Sequence, residues 1–206
     1  PGRNEEFHAQ TVEDVLSHCH ADTEIIVILD GGWPPERGIR DDPRVKVVKT
    51  TTPIGQRAAT NLGAQMSRAK YFCKLDAHCS VDDGFDVKMM ESMQPEYTMI
   101  PQMMRLHAFD WCCIQCGWTQ YQGSRPEKCG ECGASEESDL FKKLVWEPKW
   151  SVGTTISWRF DGSLRMQYWG EHKRRREVRR QIEAGLVETP ICVGCCFLME
   201  RERFID

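Results

Sequence analysis

Tyr71-Phe72-Cys73-Lys74-Leu75-Asp76-Ala77-His78-Cys79 decides how the rest of the chain is read. Its first five residues form a mostly apolar run of strand type, and directly after it stand a carboxylate and an imidazole two residues apart. Open α/β sheets keep their ligands at the carboxyl ends of strands. Asp76 and His78 on one turn there can both reach a single divalent ion, and such an ion can in turn hold a diphosphate. An isolated Asp-x-His also arises when an aspartate caps a turn beside a solvated histidine. The strand end is what favours a metal site.

On the N-terminal side, residues 24–29 (Glu-Ile-Ile-Val-Ile-Leu) are a continuous apolar run of the kind buried on both faces of a parallel sheet, ending at Asp30-Gly31-Gly32. Residues 45–48 predict another short strand. From Gly55 to Ala69 the small and apolar positions Ala58, Ala59, Leu62, Met66 and Ala69 recur at helical spacing. Thr11 is placed to cap a helix through residue 19, with Val12, Val15, Leu16 and Cys19 on one face. This alternation predicts an α/β fold with a mixed, mainly parallel sheet and helices on both faces.

On the C-terminal side the rhythm breaks at Cys112–Cys132. Further on, Thr155–Phe160 and Ser163–Trp169 flank Asp161-Gly162 as a hairpin. Residues 172–184 predict a helix that carries Lys173, Arg174, Arg175, Arg176, Arg179 and Arg180, stopped near Gly185. Ile191–Met199 reads as a last strand.

At 206 residues the chain can bury one full core and a small satellite, not two large domains. With 40% apolar and 28% charged residues it has the composition of a soluble globular protein, and no run approaches the roughly 18 apolar residues of a membrane span. No membrane partner is expected. A net charge of −4 excludes bulk electrostatic capture of nucleic acid but leaves room for a local basic patch. Eleven cysteines, odd in number and unevenly spaced, with no secretory signal in view, point to a reducing, cytoplasmic compartment.

Cys113-x2-Cys116 and Cys129-x2-Cys132, twelve residues apart, supply two thiolate pairs that can close a tetrahedron around Zn2+, as in a zinc ribbon. Gly117 and Gly133 follow the two pairs and suit tight turns. Cys112 is the nearby competitor for a ligand position. A closed four-thiolate site is a structural staple. Trp118, Tyr121, Arg125 and Lys128 between the pairs suit either the ribbon's own core or stacking on a nucleic-acid strand. Cys192-x2-Cys195 has metal spacing too, but in an apolar strand its default reading is packing. His8, His18, His20 and His107 show no partner in sequence.

Arg3-Asn4-Glu5 near the start, a strand ending in Asp30-Gly31, the G-x(5)-N-x-G helix from Gly55 to Gly63, and Leu75-Asp76-Ala77-His78-Cys79 together resemble the GT-A glycosyltransferases. The resemblance is to family-two-like enzymes and, above all, to the polypeptide N-acetylgalactosaminyltransferases. It covers residues 2–85. Glu188–Phe197 is similar, more weakly, to the segment that borders the acceptor site in that family. The resemblance implies a nucleotide diphosphate sugar, UDP-linked, as donor partner, with Arg3, Asn4, Glu5, Asp30, Arg57, Asn61 and Asp76 as donor-binding residues. It implies Mn2+ or Mg2+ at Asp76 and His78, and an acceptor region at Gly194, Cys195 and Phe197.

Two departures stand out. Thr60 replaces the arginine that such enzymes often carry before the asparagine, with Arg57 one turn earlier as the substitute. The family's later acidic motif would fall beyond Asp206, so the catalytic base is unassigned. Trp169-Gly170-Glu171-His172 resembles that motif but comes too early in the chain.

The expectation is therefore one GT-A-like domain over 1–206, lacking the family's first strand and C-terminal part, with a zinc-ribbon insertion at 110–135. Its expected activity is metal-dependent transfer of a sugar to an acceptor hydroxyl. The zinc ribbon and the basic helix at 173–180 tilt the acceptor toward a hydroxymethylated base in DNA. The alternatives are a protein or glycan acceptor, or a non-catalytic nucleic-acid-binding module on a degenerate scaffold.

Overall fold

The structure, a computed structural model, describes residues 1–31, 38–149, 158–189, 191 and 194–206, with the backbone alone at Trp158. Two compact units result, one formed by Pro1–Met103 with Gly153–Asp206 and the other by Met104–Val152. The expected insertion at 110–135 falls inside the second.

In the first unit, α1 (His8–His18) leads to β1 (Ile25–Leu29), which pairs in parallel with β2 (Val45–Lys49), Ile25 opposite Val45. The core here is Val12, Leu16, Val27 and Leu29, with Ile25, Ile39 and Val45 packed around them. Burying each of these aliphatic side chains contributes about 1.5–3 kcal/mol, which holds α1 against the strand. Thr11 does not cap α1. The helix begins a turn earlier, at Phe7, and Thr11 is buried within it because its hydroxyl has a tertiary partner, the carbonyl of Ala77, at 2.9 Å.

Next, α2 (Gln56–Met66) buries Ala59, Thr60, Gly63 and Ala64, small residues that let the helix lie close to β1. β3 (Tyr71–Leu75) then runs to the Asp76 loop, and α3 (Phe85–Glu91) follows. Asp86 on α3 accepts hydrogen bonds from the amides of His20 and Ala21 and from the Thr23 hydroxyl, tying the α1–β1 connection to α3.

The pairing is mixed and not clearly mainly parallel among the described residues. β3 pairs antiparallel with β9 (Cys196–Glu200), Lys74 opposite Phe197, and Met99 bridges the far side of β9. A cavity of about 630 Å3 is lined by both β1 and β3, which do not pair with each other. Beyond β1–β2, the parallel contact among the described residues is a bridge from Gly2 to Leu29. Apolar runs announce burial on both faces but carry no information about the direction of the neighbouring strand.

Also in the first unit, β7 (Trp158–Phe160) and β8 (Met166–Tyr168) form the expected hairpin. Its turn is longer than Asp161-Gly162: the Asp161 carboxylate takes the amides of Ser163 and Arg165, and Leu164 sits at φ 59°. The hairpin residues Thr155 and Ile156 lie outside the described residues. The basic segment is split, with a 3-10 turn at His172–Arg174 and α4 (Arg176–Glu183) separated by an extended Arg175. After β9 comes α5 (Arg201–Ile205), whose Phe204 stacks on Phe72 at 4.5 Å.

The second unit is a three-stranded antiparallel sheet in the order β5 (Thr119–Tyr121), β4 (Arg105–Cys113), β6 (Leu140–Lys149), with a bulge between His107 and Phe109. Its core is Trp111, Cys113, Cys129 and Leu140.

Candidate functional site

The loop after β3 is held on three sides. The Thr11 hydroxyl donates to the carbonyl of Ala77 at 2.9 Å and accepts from the amide of Cys79 at 3.0 Å, gripping the backbone on both sides of His78. The Asp76 amide donates to the carbonyl of Cys195 at 3.0 Å. Nδ1 of His78 lies 2.8 Å from a carboxylate oxygen of Glu5.

Beneath the loop is Lys74, 5% exposed. Its ammonium forms a short ion pair with Asp76 and donates to the carbonyl of Gly194 at 2.6 Å. A buried ammonium survives only when oxygens replace its water, and here a carboxylate and a carbonyl do so. The signal for Lys74 was present in the sequence: it is a lysine inside a buried strand, two residues before Asp76 and so on the same face.

A cavity of about 390 Å3 is lined by Arg3, Glu5, Asp30, Asp76 and His78, together with Gly2, Gly55 and Gln56. Five of the expected residues therefore meet in one place. Asn4, at φ 53°, does not line it, and neither do Arg57 and Asn61, both exposed on α2. Asp30 is buried and already employed: its two oxygens accept the amides of Ile54 at 2.6 Å and Gly55 at 3.0 Å. The Ile54 amide above all holds its carboxyl below the usual carboxylate range, against the opposing effect of burial. Asp30 thus shapes the loop entering α2 while facing the cavity.

In the expected acceptor region, Gly194 is exposed and Cys195 half-buried. Phe197 sits among Phe72 and Phe204, at ring distances of 6.3 and 6.0 Å. Burial pushes the Cys79 thiol up to about 12, so it is neutral at physiological pH. His8 is buried beside Glu5 and is no surface residue. Pro190, Cys192 and Val193 lie outside the described residues.

In the second unit the Sγ atoms of Cys113, Cys116, Cys129 and Cys132 all lie within 4.8 Å of one another. Cys113 is 3.7 Å from Cys132, and Cys116 is 3.5 Å from Cys129. A tetrahedron with Zn–S bonds of about 2.3 Å has edges of about 3.8 Å, so the cluster fits a zinc ion. Cys112 is not part of it. Burial opposes ionisation of Cys129, but the amides of Cys132 and Glu131 together with the side chains of Cys116 and Cys132 outweigh it and bring that thiol down to about 6.

The site is thus a strand-end loop presenting an acid and a histidine over a cavity on an α/β scaffold. A family model described as glycosyl transferase family 2 matches residues 3–109, just over half of the 206 residues, and the chain belongs to that family. Among solved structures it is similar to the crystal structure of GalNAc-T7 with UDP, GalNAc and Mn2+, at 19% identity and a TM-score of 0.55. That match covers 95% of this chain and 32% of GalNAc-T7, so the chain spans about a third of its neighbour's length. The fold is the GT-A glycosyltransferase fold. Among curated proteins nothing matches the chain.

Proposed function

We propose that this chain binds a UDP-linked sugar with Mn2+ or Mg2+ and transfers the sugar to an acceptor hydroxyl. The observation that carries the reading is the cavity in which Arg3, Asp30, Asp76 and His78 converge. Asp76 and His78 would hold the ion, and Arg3 and Asp30 would face the nucleotide. A divalent ion supplies charge compensation for the departing diphosphate. Lys74 aims Asp76 through their ion pair, and through Gly194 and the Asp76–Cys195 bond it links the metal loop to the acceptor side. The presence of UDP and Mn2+ in the GalNAc-T7 structure supports this choice of donor and ion.

For the acceptor we favour a hydroxymethylated base in DNA over a protein or glycan. Arg174, Arg175, Arg176, Arg179 and Arg180 are all exposed, and among the described residues none has a carboxylate within ion-pair distance. In a chain of net charge −4, such a cluster matches a phosphate backbone. The four cysteines would hold a structural Zn2+.

The test is thermal stability with UDP and Mn2+. Ligand at about 100 times its dissociation constant adds roughly 2.7 kcal/mol, and Asp76→Ala should abolish the gain. A gain that survives Asp76→Ala, or that needs no divalent ion, refutes the metal assignment and leaves a binding module as the alternative.

A further inference from the structure

We infer that Glu5 is a positioning residue for the metal ligand His78: it fixes the imidazole tautomer and leaves Nε2 free for the ion. The inference rests on the metal reading proposed above and assigns Glu5 a task other than touching the nucleotide.

The Glu5 carboxylate lies 2.8 Å from Nδ1 of His78. An ionised carboxylate can only accept, so the proton sits on Nδ1 and the lone pair of a neutral ring is on Nε2. Ligating histidines characteristically donate their second ring N–H to a carboxylate or carbonyl, which aims the ring and makes it a better ligand. Glu5 itself is held from both sides. Just before it, Gly2 exchanges hydrogen bonds with the strand end, its amide to the carbonyl of Ile28 and its carbonyl to the amide of Asp30, both at 3.0 Å. The Glu5 carbonyl faces Nδ1 of buried His8 at 3.3 Å, and a Cβ on Gly2 would come within 2.4 Å of that ring, so this corner is closely packed.

Thr11 completes the arrangement, since its hydroxyl bonds the carbonyl before His78 and the amide after it. Backbone and ring of His78 are thus fixed by residues 5 and 11 of one N-terminal segment. With His78 largely open to solvent, the Glu5–His78 hydrogen bond contributes little to stability, so its effect should appear in metal affinity and not in the melting temperature.

The experiment is Mn2+ titration of zinc-loaded protein, followed by the free-ion electron paramagnetic resonance signal, without donor or acceptor. Glu5→Ala should weaken Mn2+ binding by about 10- to 100-fold. Glu5→Gln keeps an oxygen that accepts the same N–H and should stay within about threefold of the parent. Equal affinity for Glu5→Ala and the parent overturns the inference. Equal, large losses in both variants also overturn it, in favour of Glu5 as a direct ligand. Should the parent bind no Mn2+, or Asp76→Ala bind it unchanged, the metal reading itself fails. That result is distinct from a Glu5 effect confined to the variants.

Discussion

If the four-cysteine cluster holds the structural Zn2+ proposed above, removing the ion should unfold the second unit and spare the first. Cys113 and Cys129 are two of the four buried residues that make the core of Met104–Val152, beside Trp111 and Leu140. In this unit the proposed ligands are therefore also the packing. Structural zinc in small modules contributes about 10–16 kcal/mol at neutral pH, and whole domains are stable by only about 5–15 kcal/mol. Losing the ion exceeds what a three-stranded sheet with two large apolar core residues can withstand. A chelator strong enough to strip Zn2+ should abolish hydrogen-exchange protection across the β4–β6 ladder. Amides of α1 and β1 should keep theirs. Elemental analysis should find one zinc per chain, and Cys132→Ser, at an exposed ligand, should lower occupancy without a change in the first unit. The reasoning is refuted by a metal-free protein that retains β4–β6 protection, for the sheet would then close on its apolar residues alone.

Asp86→Asn should destabilise the chain by about 2 kcal/mol at pH 7, because charged acceptors make the stronger hydrogen bonds and this one serves His20, Ala21 and Thr23. Although burial opposes it, those amides hold the folded carboxyl below its ordinary value. The stabilisation is therefore present above pH ~4 and fades as pH falls through the depressed value, so urea unfolding of parent and variant should converge in acid. If DNA carries the acceptor, changing Arg174, Arg175 and Arg176 to Ala should reduce the slope of log affinity against log salt by about 2–3. An unchanged slope, or no binding to measure, removes DNA from the proposal.

Particular residues show how much of the site was legible. Asp76 and His78 follow an apolar strand directly, so their place at a strand end could be read from the order of residue types. Thr11 has the chemistry of a helix cap, yet it is a buried bridge to Ala77 and Cys79, because its partners lie 66 and 68 residues away. Local chemistry cannot announce a distant acceptor. Lys74 carried a signal, a charge inside a buried strand, but its partner Gly194 is brought near only by the antiparallel return of β9. Arg57 and Asn61 have suitable chemistry and helical spacing, but the rotation of α2 leaves them exposed and puts Gln56 at the cavity.

By itself, the order of apolar runs, glycines, acids and paired cysteines determined the α/β character, the loop that carries Asp76 and His78, and the four-thiolate cluster. Each is set by neighbours within a few residues, or by spacings that only one geometry satisfies. Strand direction around β3 and the union of Arg3, Glu5 and Asp30 with the Asp76–His78 loop were decided only in three dimensions. So was the burial of Lys74 between Asp76 and Gly194. Contacts across such sequence separations depend on which surfaces the whole chain can bury together, and no local pattern encodes that choice.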